Sequence, residues 1–315
     1  MAPLSPGDVL DDYRIEALLN VSGMATAFRA TDLRTGSQVA LKVPHPKAGS
    51  DAVFVERFHR EMRIGREMDH PGVVRVLPDR GSTRLYMAME WAEGESLRRI
   101  MTREGKLPVR RALGIAIAVC DALYHVHARG IVHRDLKPEN IIVGAGDRIK
   151  IIDFGVAGNE RTGGMAFAKN SSTMLGTPDY ISPEQVKGKY GDARSDLYAL
   201  GVILYEMLAG RTPFEGSNPF AVMNARLVSD PEPLSEVVSG IPPQVEEIVS
   251  RSLRRDPNKR YRSAVEFSYD LEHPDGVRVP RRDQPPLRKR IVAFSTLAMI
   301  PAAIFGLLLF VASRQ

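Results

Sequence analysis

The sequence predicts an α+β fold of two lobes: a small β-rich lobe with one helix, followed by a larger helical lobe. Up to about Glu90, short apolar runs alternate with turn residues, which is typical of strands. After Gly94, apolar residues recur every three or four positions, which indicates helices. Near the end, Ile291 to Ala312 contains no charged residue and is long enough to predict a C-terminal transmembrane helix.

The small lobe is predicted to contain strands joined by tight turns. Arg34 to Ser37 is typical of a hairpin turn, and it precedes an apolar strand at Val39–Val43. Val53 to Met68 has the period of an amphipathic helix. Two further strands complete the predicted sheet, near Val73–Leu77 and Leu85–Glu90.

The larger lobe is predicted from three helical segments. Pro108 begins a long amphipathic helix, and Gly130 ends it. Ser195 to Leu208 is apolar almost all round, so we expect a buried helix closed by Gly210. Another amphipathic helix is predicted over Pro242–Leu253.

The end of the chain differs in composition from the rest. Residues 274–290 are rich in Pro and carry six Lys or Arg against Asp275 and Asp283, which predicts an extended basic linker. A basic flank is typical of the cytoplasmic side of a span at 291–312, which leaves only residues 313–315 beyond it. The alternative for this segment is a buried soluble helix.

Composition excludes several classes of protein. The 43% hydrophobic and 26% charged residues are those of a globular chain. Because Cys120 is the only cysteine, neither a disulfide framework nor a cysteine-based metal cluster can form. The seven histidines have no metal-ligand spacing. Since the basic excess is concentrated in the linker, the sequence does not indicate a nucleic-acid-binding protein.

Three motifs occur in order along the chain. Ile131–Asn140 reads I-V-H-R-D-L-K-P-E-N, and Asp153-Phe154-Gly155 follows it. Gly176–Glu184 reads G-T-P-D-Y-I-S-P-E. With V-A-L-K at Val39–Lys42, the chain resembles eukaryotic-like (Hanks-type) bacterial transmembrane serine/threonine protein kinases over about residues 10–273. The resemblance implies the two-lobe protein kinase fold, with lobes at about 10–90 and 91–273.

The resemblance also implies transfer of the γ-phosphoryl group of ATP to Ser/Thr hydroxyls of proteins, assisted by Mg²⁺ or Mn²⁺. It implies that Lys42 grips the phosphates and that Glu61 pairs with this lysine. Asp135 would receive the proton of the attacking hydroxyl, and Lys137 would neutralise charge on the γ-phosphoryl. The metal ligands it implies are Asn140 and Asp153.

Twelve residues are implied to bind ATP. Met89 would be the gatekeeper beside the adenine, Glu90 and Ala92 would offer backbone groups to the base, and Ile142 would lie beneath it. The full set is Leu19, Asn20, Val21, Ser22, Gly23, Ala27, Ala40, Lys42, Met89, Glu90, Ala92 and Ile142.

Residues near the G-T-P-D-Y segment are implied to act in regulation or structure. Autophosphorylation of the activation loop would use Ser171, Ser172, Thr173 or Thr177, although these are also ordinary loop hydroxyls. Arg134 would bind such a phosphate. The structural roles implied are those of His133, which would orient the loop, Asp196, which would brace it, and the pair Glu184–Arg260.

The chain departs from the family at the phosphate-covering loop, G-x-G-x-x-G-x-V. Asn20, Ser22 and Ala25 occupy the three glycine positions, and Ala27 occupies that of the valine. Glycine allows positive φ and close approach to phosphate, so we expect a looser loop or weaker ATP binding. A pseudokinase scaffold and a membrane-anchored interaction module therefore stay open as alternatives.

The expected partners are ATP, protein substrates and a membrane crossed once, with the kinase domain on the cytoplasmic side. A homodimer is left open, and no nucleic acid is expected.

Overall fold

The structure is a computed structural model that describes residues 4–154, 158–159 and 178–280. The chain divides into one unit of residues 1–277 and a second unit of residues 278–315. All the helices and strands given below belong to the first unit.

The small lobe is an antiparallel sheet with one long helix. Its strands follow the order β1-β2-β3-β4-β5, so each strand pairs with its neighbour in the sequence. A short helix and the long helix connect the last two strands. The elements are β1 (Val9–Leu10), β2 (Tyr13–Val21), β3 (Ala25–Asp32), β4 (Gln38–Pro44), α1 (Pro46–Gly49), α2 (Ala52–Glu67) and β5 (Met87–Glu90).

Helix α2 begins where its sequence provides a cap. The Asp51 carboxylate accepts hydrogen bonds from the backbone N–H groups of Val53 and Phe54, at 2.9 and 3.3 Å. Its apolar face buries Phe58 and Met62. This confirms the helix predicted from the period of the sequence, and it sets the face that also carries Glu61.

The strand predicted at Val73–Leu77 is wrong as a continuous strand, because successive N–H groups of this segment bond to different partners. Val74 N–H donates to Ile151 O, and Val76 N–H donates to Gly65 O. Only isolated bridges form, Val73 with Ile151 and Val76 with Met89. Sequence alternation could not reveal this exchange of partners.

The larger lobe is mainly helical, with short strands near the motifs. Its elements are β6 (Glu95–Ser96), α3 (Leu97–Glu104), α4 (Val109–His127), β7 (Ile131–Val132), β8 (Ile141–Val143), β9 (Ile149–Ile151), β10 (Gly158–Asn159), α5 (Pro183–Val186), α6 (Ala193–Ala209), α7 (Pro219–Val228), α8 (Leu234–Val237), α9 (Pro243–Ser252) and α10 (Ala264–Glu272). The three predicted helices are α4, α6 and α9, and each lies within three residues of its expected bounds.

Helix α6 is the centre of the larger lobe. Every residue from Ser195 to Ala209 is buried, as a sequence that is apolar almost all round predicts. Gly210 ends the helix in the left-handed conformation, with φ of 75°. Since α4, α9 and the segments around the motifs pack on it, α6 fixes their relative positions.

The segment beyond the last helix is short in the described part of the chain. Val277 packs against the core of the larger lobe, four residues later than the predicted boundary at 273. Within the residues that the structure describes, no helix is long and apolar enough to cross a membrane. The predicted span, residues 291–312, lies outside the described residues.

A buried ion pair joins α5 to the segment before α10, which confirms the predicted pairing of Glu184 with Arg260. The Arg260 guanidinium is fully buried and contacts both Glu184 carboxylate oxygens, at 2.8 and 2.7 Å. Its remaining N–H groups donate to backbone carbonyls, those of Arg254, Arg194 and Arg255. Burial alone would raise the pKa of Glu184, but Arg260 outweighs it and holds this pKa below its ordinary value.

We predict that Glu184→Gln destabilises the fold by about 3–5 kcal/mol, because it leaves the Arg260 charge buried without its counter-charge. Urea unfolding measures this change in the free energy of unfolding. The matched control is Glu215→Gln, which removes an exposed partner of Arg211 and should change stability by less than about 1 kcal/mol. Equal unfolding midpoints for the two variants would contradict the prediction.

Candidate active site

One ammonium group lies between two carboxylates at the boundary of the lobes. Lys42 on β4 places its Nζ 2.7 Å from Glu61 Oε1 and 2.8 Å from Asp153 Oδ1. Glu61 comes from the buried side of α2, and Asp153 follows β9. Three predicted site residues from three separate parts of the chain therefore meet at one point.

The surroundings shift the pKa values of the three charged groups in this cluster by different amounts. Burial lowers the pKa of Lys42, but the two carboxylates outweigh it and raise this pKa above its ordinary value. Burial would raise the pKa of Asp153, but Lys42 outweighs it and holds this pKa well below the usual range. Burial raises the pKa of Glu61 to about 7, against the attraction of Lys42 and with the repulsion of Asp153. Asp153 therefore keeps its negative charge at all ordinary pH values.

The predicted catalytic loop brings its polar side chains together. Lys137 Nζ lies 2.7 Å from Asp135 Oδ2. Asn140 Nδ2 donates to the backbone oxygen of Asp135 at 2.9 Å. Because this bond uses the amide nitrogen, the Asn140 oxygen is left as an acceptor or ligand. The Asp135 side chain is 40% exposed, so a second molecule can reach it.

A buried aspartate holds the backbone of this loop. Asp196 on α6 accepts from the N–H groups of His133 and Arg134, at 2.9 and 2.8 Å. Arg134 has a φ of 64°, a left-handed conformation that costs a non-glycine residue about 1–2 kcal/mol. Its carbonyl also accepts from Gln185 Nε2, at 3.0 Å. The strained turn is thus stabilised on both sides, as the predicted bracing role of Asp196 requires.

His127 and Gln185 belong to this arrangement but were missed by the sequence prediction. His127 Nε2 lies 2.8 Å from Asp196 Oδ2, at the end of α4. Neither residue is part of a motif quoted above, so the sequence contained no signal for them. The position of His127 follows from the packing of α4 on α6, and a hydrogen bond from Ser195 to Glu184 joins α5, which carries Gln185, to α6.

His133 is fully buried and contacts the second motif. Its Nδ1 accepts from Asp135 N–H at 3.3 Å, and its Nε2 lies 3.3 Å from the carbonyl of Ile152. The imidazole also packs against the ring of Phe154, with centroids 5.0 Å apart. With both nitrogens engaged by backbone groups, His133 orients the two motifs rather than acting as a base.

Eight of the twelve predicted nucleotide-binding residues lie on four adjacent strands, β2 to β5. Asn20 on β2 is opposite Ala27 on β3, which in turn is opposite Lys42 on β4. Ala40 is opposite Met89 on β5. The register of strands β2 to β5 therefore places residues expected to contact the phosphates of ATP and residues expected to contact its adenine in one sheet.

The segment after β5 connects to the larger lobe. Glu90 Oε1 lies 2.7 Å from Lys150 Nζ and accepts from Arg75 N–H at 3.0 Å. Lys150 on β9 is opposite Ile142 on β8, so this ion pair ties the strand beside the one that carries Ile142 to the end of β5. Ala92 follows in the connection between β5 and β6.

The turn that replaces the glycine-rich loop is not strained. Among the described residues, positive φ angles occur at several positions, but at none from Leu19 to Ala27. A Cβ atom at Gly23 would meet no atom within 4 Å. This segment therefore contains no left-handed residue of the kind that favours glycine. The expected looser loop or weaker ATP binding stays a prediction.

A second charged network lies beside the catalytic loop, and the sequence prediction missed it. Arg98 on α3 contacts Glu139 Oε1 at 2.8 Å and Glu206 Oε1 at 2.7 Å. Tyr180 donates to the other oxygen of Glu206 and also contacts Arg98. This network joins α3, the loop, α6 and the segment before α5.

The phosphosite candidates Ser171, Ser172, Thr173 and Thr177 lie outside the described residues.

The ligand set fits a magnesium ion held jointly with phosphate. Asp153 supplies an ionised carboxylate and Asn140 an amide oxygen, both hard ligands. In the part of the chain that the structure describes, no three His, Cys, Asp or Glu side chains form a metal site by themselves. Two protein ligands are what Mg²⁺ commonly takes where substrate phosphates supply further oxygens.

Comparison with known proteins agrees with this geometry. Residues 14–269 match the protein kinase domain family. A probable serine/threonine-protein kinase of Corynebacterium efficiens is 38% identical over 84% of this chain and 41% of its own length. Serine/threonine-protein kinase PknB of Mycobacterium tuberculosis is 34% identical over 95% of this chain and 48% of its own length. The chain thus spans less than half the length of these curated relatives.

Solved structures show the same similarity. The crystal structure of the PknI kinase domain of Mycobacterium tuberculosis is 27% identical, with a TM-score of 0.67 over 86% of this chain and 100% of that domain. The family match at residues 14–269 covers the elements that carry the Lys42 cluster and the catalytic loop. This chain belongs to the protein kinase domain family.

Proposed function

We propose that the chain is an active serine/threonine protein kinase that transfers the γ-phosphoryl group of ATP to protein hydroxyls, beginning with its own activation loop. The single observation that carries the proposal is the contact of Lys42 with both Glu61 and Asp153. An ammonium fixed in this way is ready to contact phosphate oxygens without rearrangement of α2. The relatives named above, which are serine/threonine-protein kinases, support the same reaction.

Each residue of the site has a distinct role in this reaction. Lys42 binds and orients the α- and β-phosphates, while Asp153 and Asn140 hold Mg²⁺ or Mn²⁺. When bound, the metal ion neutralises charge on the phosphates and aligns the γ-phosphoryl group. Asp135 orients the acceptor hydroxyl and receives its proton. Lys137, 2.7 Å from Asp135, stabilises negative charge on the transferred group.

The remaining residues of the proposed site bind the nucleotide. Met89 borders the adenine, Glu90 and Ala92 offer backbone groups to it, and Ile142 lies beneath it. Residues 19–23, Ala27 and Ala40 lie over the nucleotide on the side of the small lobe.

The scaffold alternative has no support in the residues described. It rested on the loss of glycine between Asn20 and Ala27, and the backbone there has no conformation that requires glycine. All six charged or amide residues that the reaction needs are present.

We also propose that residues 291–312 cross a membrane once, with the kinase domain on the cytoplasmic side. The support is the uncharged run of the sequence and the basic linker before it. The kinase domain, about residues 10–273, would then phosphorylate substrates near the membrane surface. Transfer between two copies would require at least a transient homodimer.

We predict that Asp135→Asn lowers transfer of labelled γ-phosphate by at least about a hundredfold, because the hydroxyl proton loses its acceptor. The purified chain is incubated with Mg-ATP and a Ser/Thr-containing protein substrate, and incorporated label is counted. The control is Asp147→Asn, which removes a charge from the surface ion pair with Arg111, away from the motifs. Equal incorporation by Asp135→Asn and the unchanged chain would exclude the proposed activity.

We predict that the full chain stays with the membrane fraction after alkaline carbonate extraction, whereas a chain without residues 291–315 is released. Ile300→Arg should release a large part of the protein, since a charge at the centre of a span costs about 2.5–3.5 kcal/mol. Ile300→Ala is the matched control and should stay with the membrane. Extraction of the unchanged chain by carbonate would contradict the predicted span.

A further inference from the structure

The turn between β2 and β3 is closed by one side chain. Ser22 N–H donates to the Ala25 carbonyl at 2.9 Å. The Ser22 hydroxyl donates to the same carbonyl at 2.8 Å and accepts from Ala25 N–H at 3.1 Å. Three hydrogen bonds thus join the two ends of a four-residue turn, and two of them need the hydroxyl.

The Ser22 hydroxyl, and not a backbone carbonyl, accepts the hydrogen bond from Ala25 N–H in this turn. A glycine at position 22 would leave Ala25 N–H, which belongs to a 5% exposed residue, without this acceptor. Because no residue from 19 to 27 has positive φ, the freedom that glycine would add is not used here. The serine is therefore more than a small residue that happens to fit.

The same turn is tied to the next strand. His45 N–H donates to the Met24 carbonyl at 2.8 Å, and His45 Nε2 lies 2.9 Å from the Thr26 hydroxyl. These bonds anchor the far side of the turn just beyond β4, the strand that carries Lys42. Together with the Ser22 bonds, they leave little freedom to the backbone between Val21 and Thr26.

We propose that Ser22 is a positioning residue that holds the phosphate-covering turn in its nucleotide-binding conformation before nucleotide arrives. This rests on the proposed function, because it assumes that ATP binds beneath the turn. A glycine-rich loop loses conformational entropy when it closes over phosphate, whereas a turn fixed beforehand loses less. Ser22 in this way compensates for the missing glycines and does not weaken the site.

Hydrogen exchange in the full-length chain without nucleotide tests the positioning role directly. We expect the Ala25 amide to exchange about fivefold faster or more in Ser22→Ala, which is the factor that corresponds to loss of one ordinary hydrogen bond. Ser22→Thr keeps the hydroxyl and should retain the protection. The matched control is Ser37→Ala in the hairpin between β3 and β4, which should leave Ala25 exchange unchanged. Equal exchange in Ser22→Ala and the unchanged chain would overturn the proposal.

Nucleotide affinity tests whether the hydrogen bonds of Ser22 strengthen ATP binding. With Mg²⁺ and a non-hydrolysable ATP analogue, we expect Kd to rise about fivefold in Ser22→Ala and to stay near that of the unchanged chain in Ser22→Thr. In assays of phosphoryl transfer, Ser22→Ala should raise KM for ATP and leave kcat unchanged, since the turn acts on nucleotide binding. Faster exchange with unaltered Kd would overturn the proposal. Absence of binding by the unchanged chain would instead refute the proposed function, while the exchange result would still report on the turn.

Discussion

The site depends on one ammonium group that two carboxylates share. Lys42 can contact Glu61 only if α2 packs against the sheet, and it can contact Asp153 only if the lobes meet at the end of β9. Because Glu61 is buried and Lys42 largely so, each of these two charges would be destabilising without the other. The contact therefore links the packing of α2, the register of β4 and the placement of the metal ligand. Burial raises the pKa of Glu61 above its ordinary value, so its contact with Lys42 is what keeps this carboxylate charged.

A second constraint acts from the core of the larger lobe. Asp196 projects from the buried helix α6 and binds the N–H groups of His133 and Arg134, which stabilises the left-handed turn at Arg134. Asp153 also has a positive φ, of 66°. Strain of this kind persists only where surrounding contacts determine it, and both positions lie within the motifs. The helix thus positions the catalytic loop, and Lys42 connects Asp153, in the following motif, to the small lobe.

The sequence predicted the features that depend on local pattern. Helices α2, α4, α6 and α9 follow from the spacing of apolar residues, and the motif residues could be recognised from their order. The segment Val73–Leu77 could not be predicted correctly, because its N–H groups find partners on separate elements. Similarly, His127 reaches Asp196 only through the packing of α4 on α6. The absence of glycine from Asn20, Ser22 and Ala25 suggested weaker ATP binding. The hydrogen bonds by which Ser22 closes this turn could not be predicted from the sequence.

We expect Glu61 to act only through Lys42, and a double-mutant cycle measures that dependence. The measured quantity is kcat/KM for ATP in the unchanged chain, Lys42→Met, Glu61→Gln and the double variant. If Glu61 serves only to position the ammonium, the double variant should lose about as much activity as Lys42→Met alone. Losses that multiply would show that the two residues act independently, which would contradict the account.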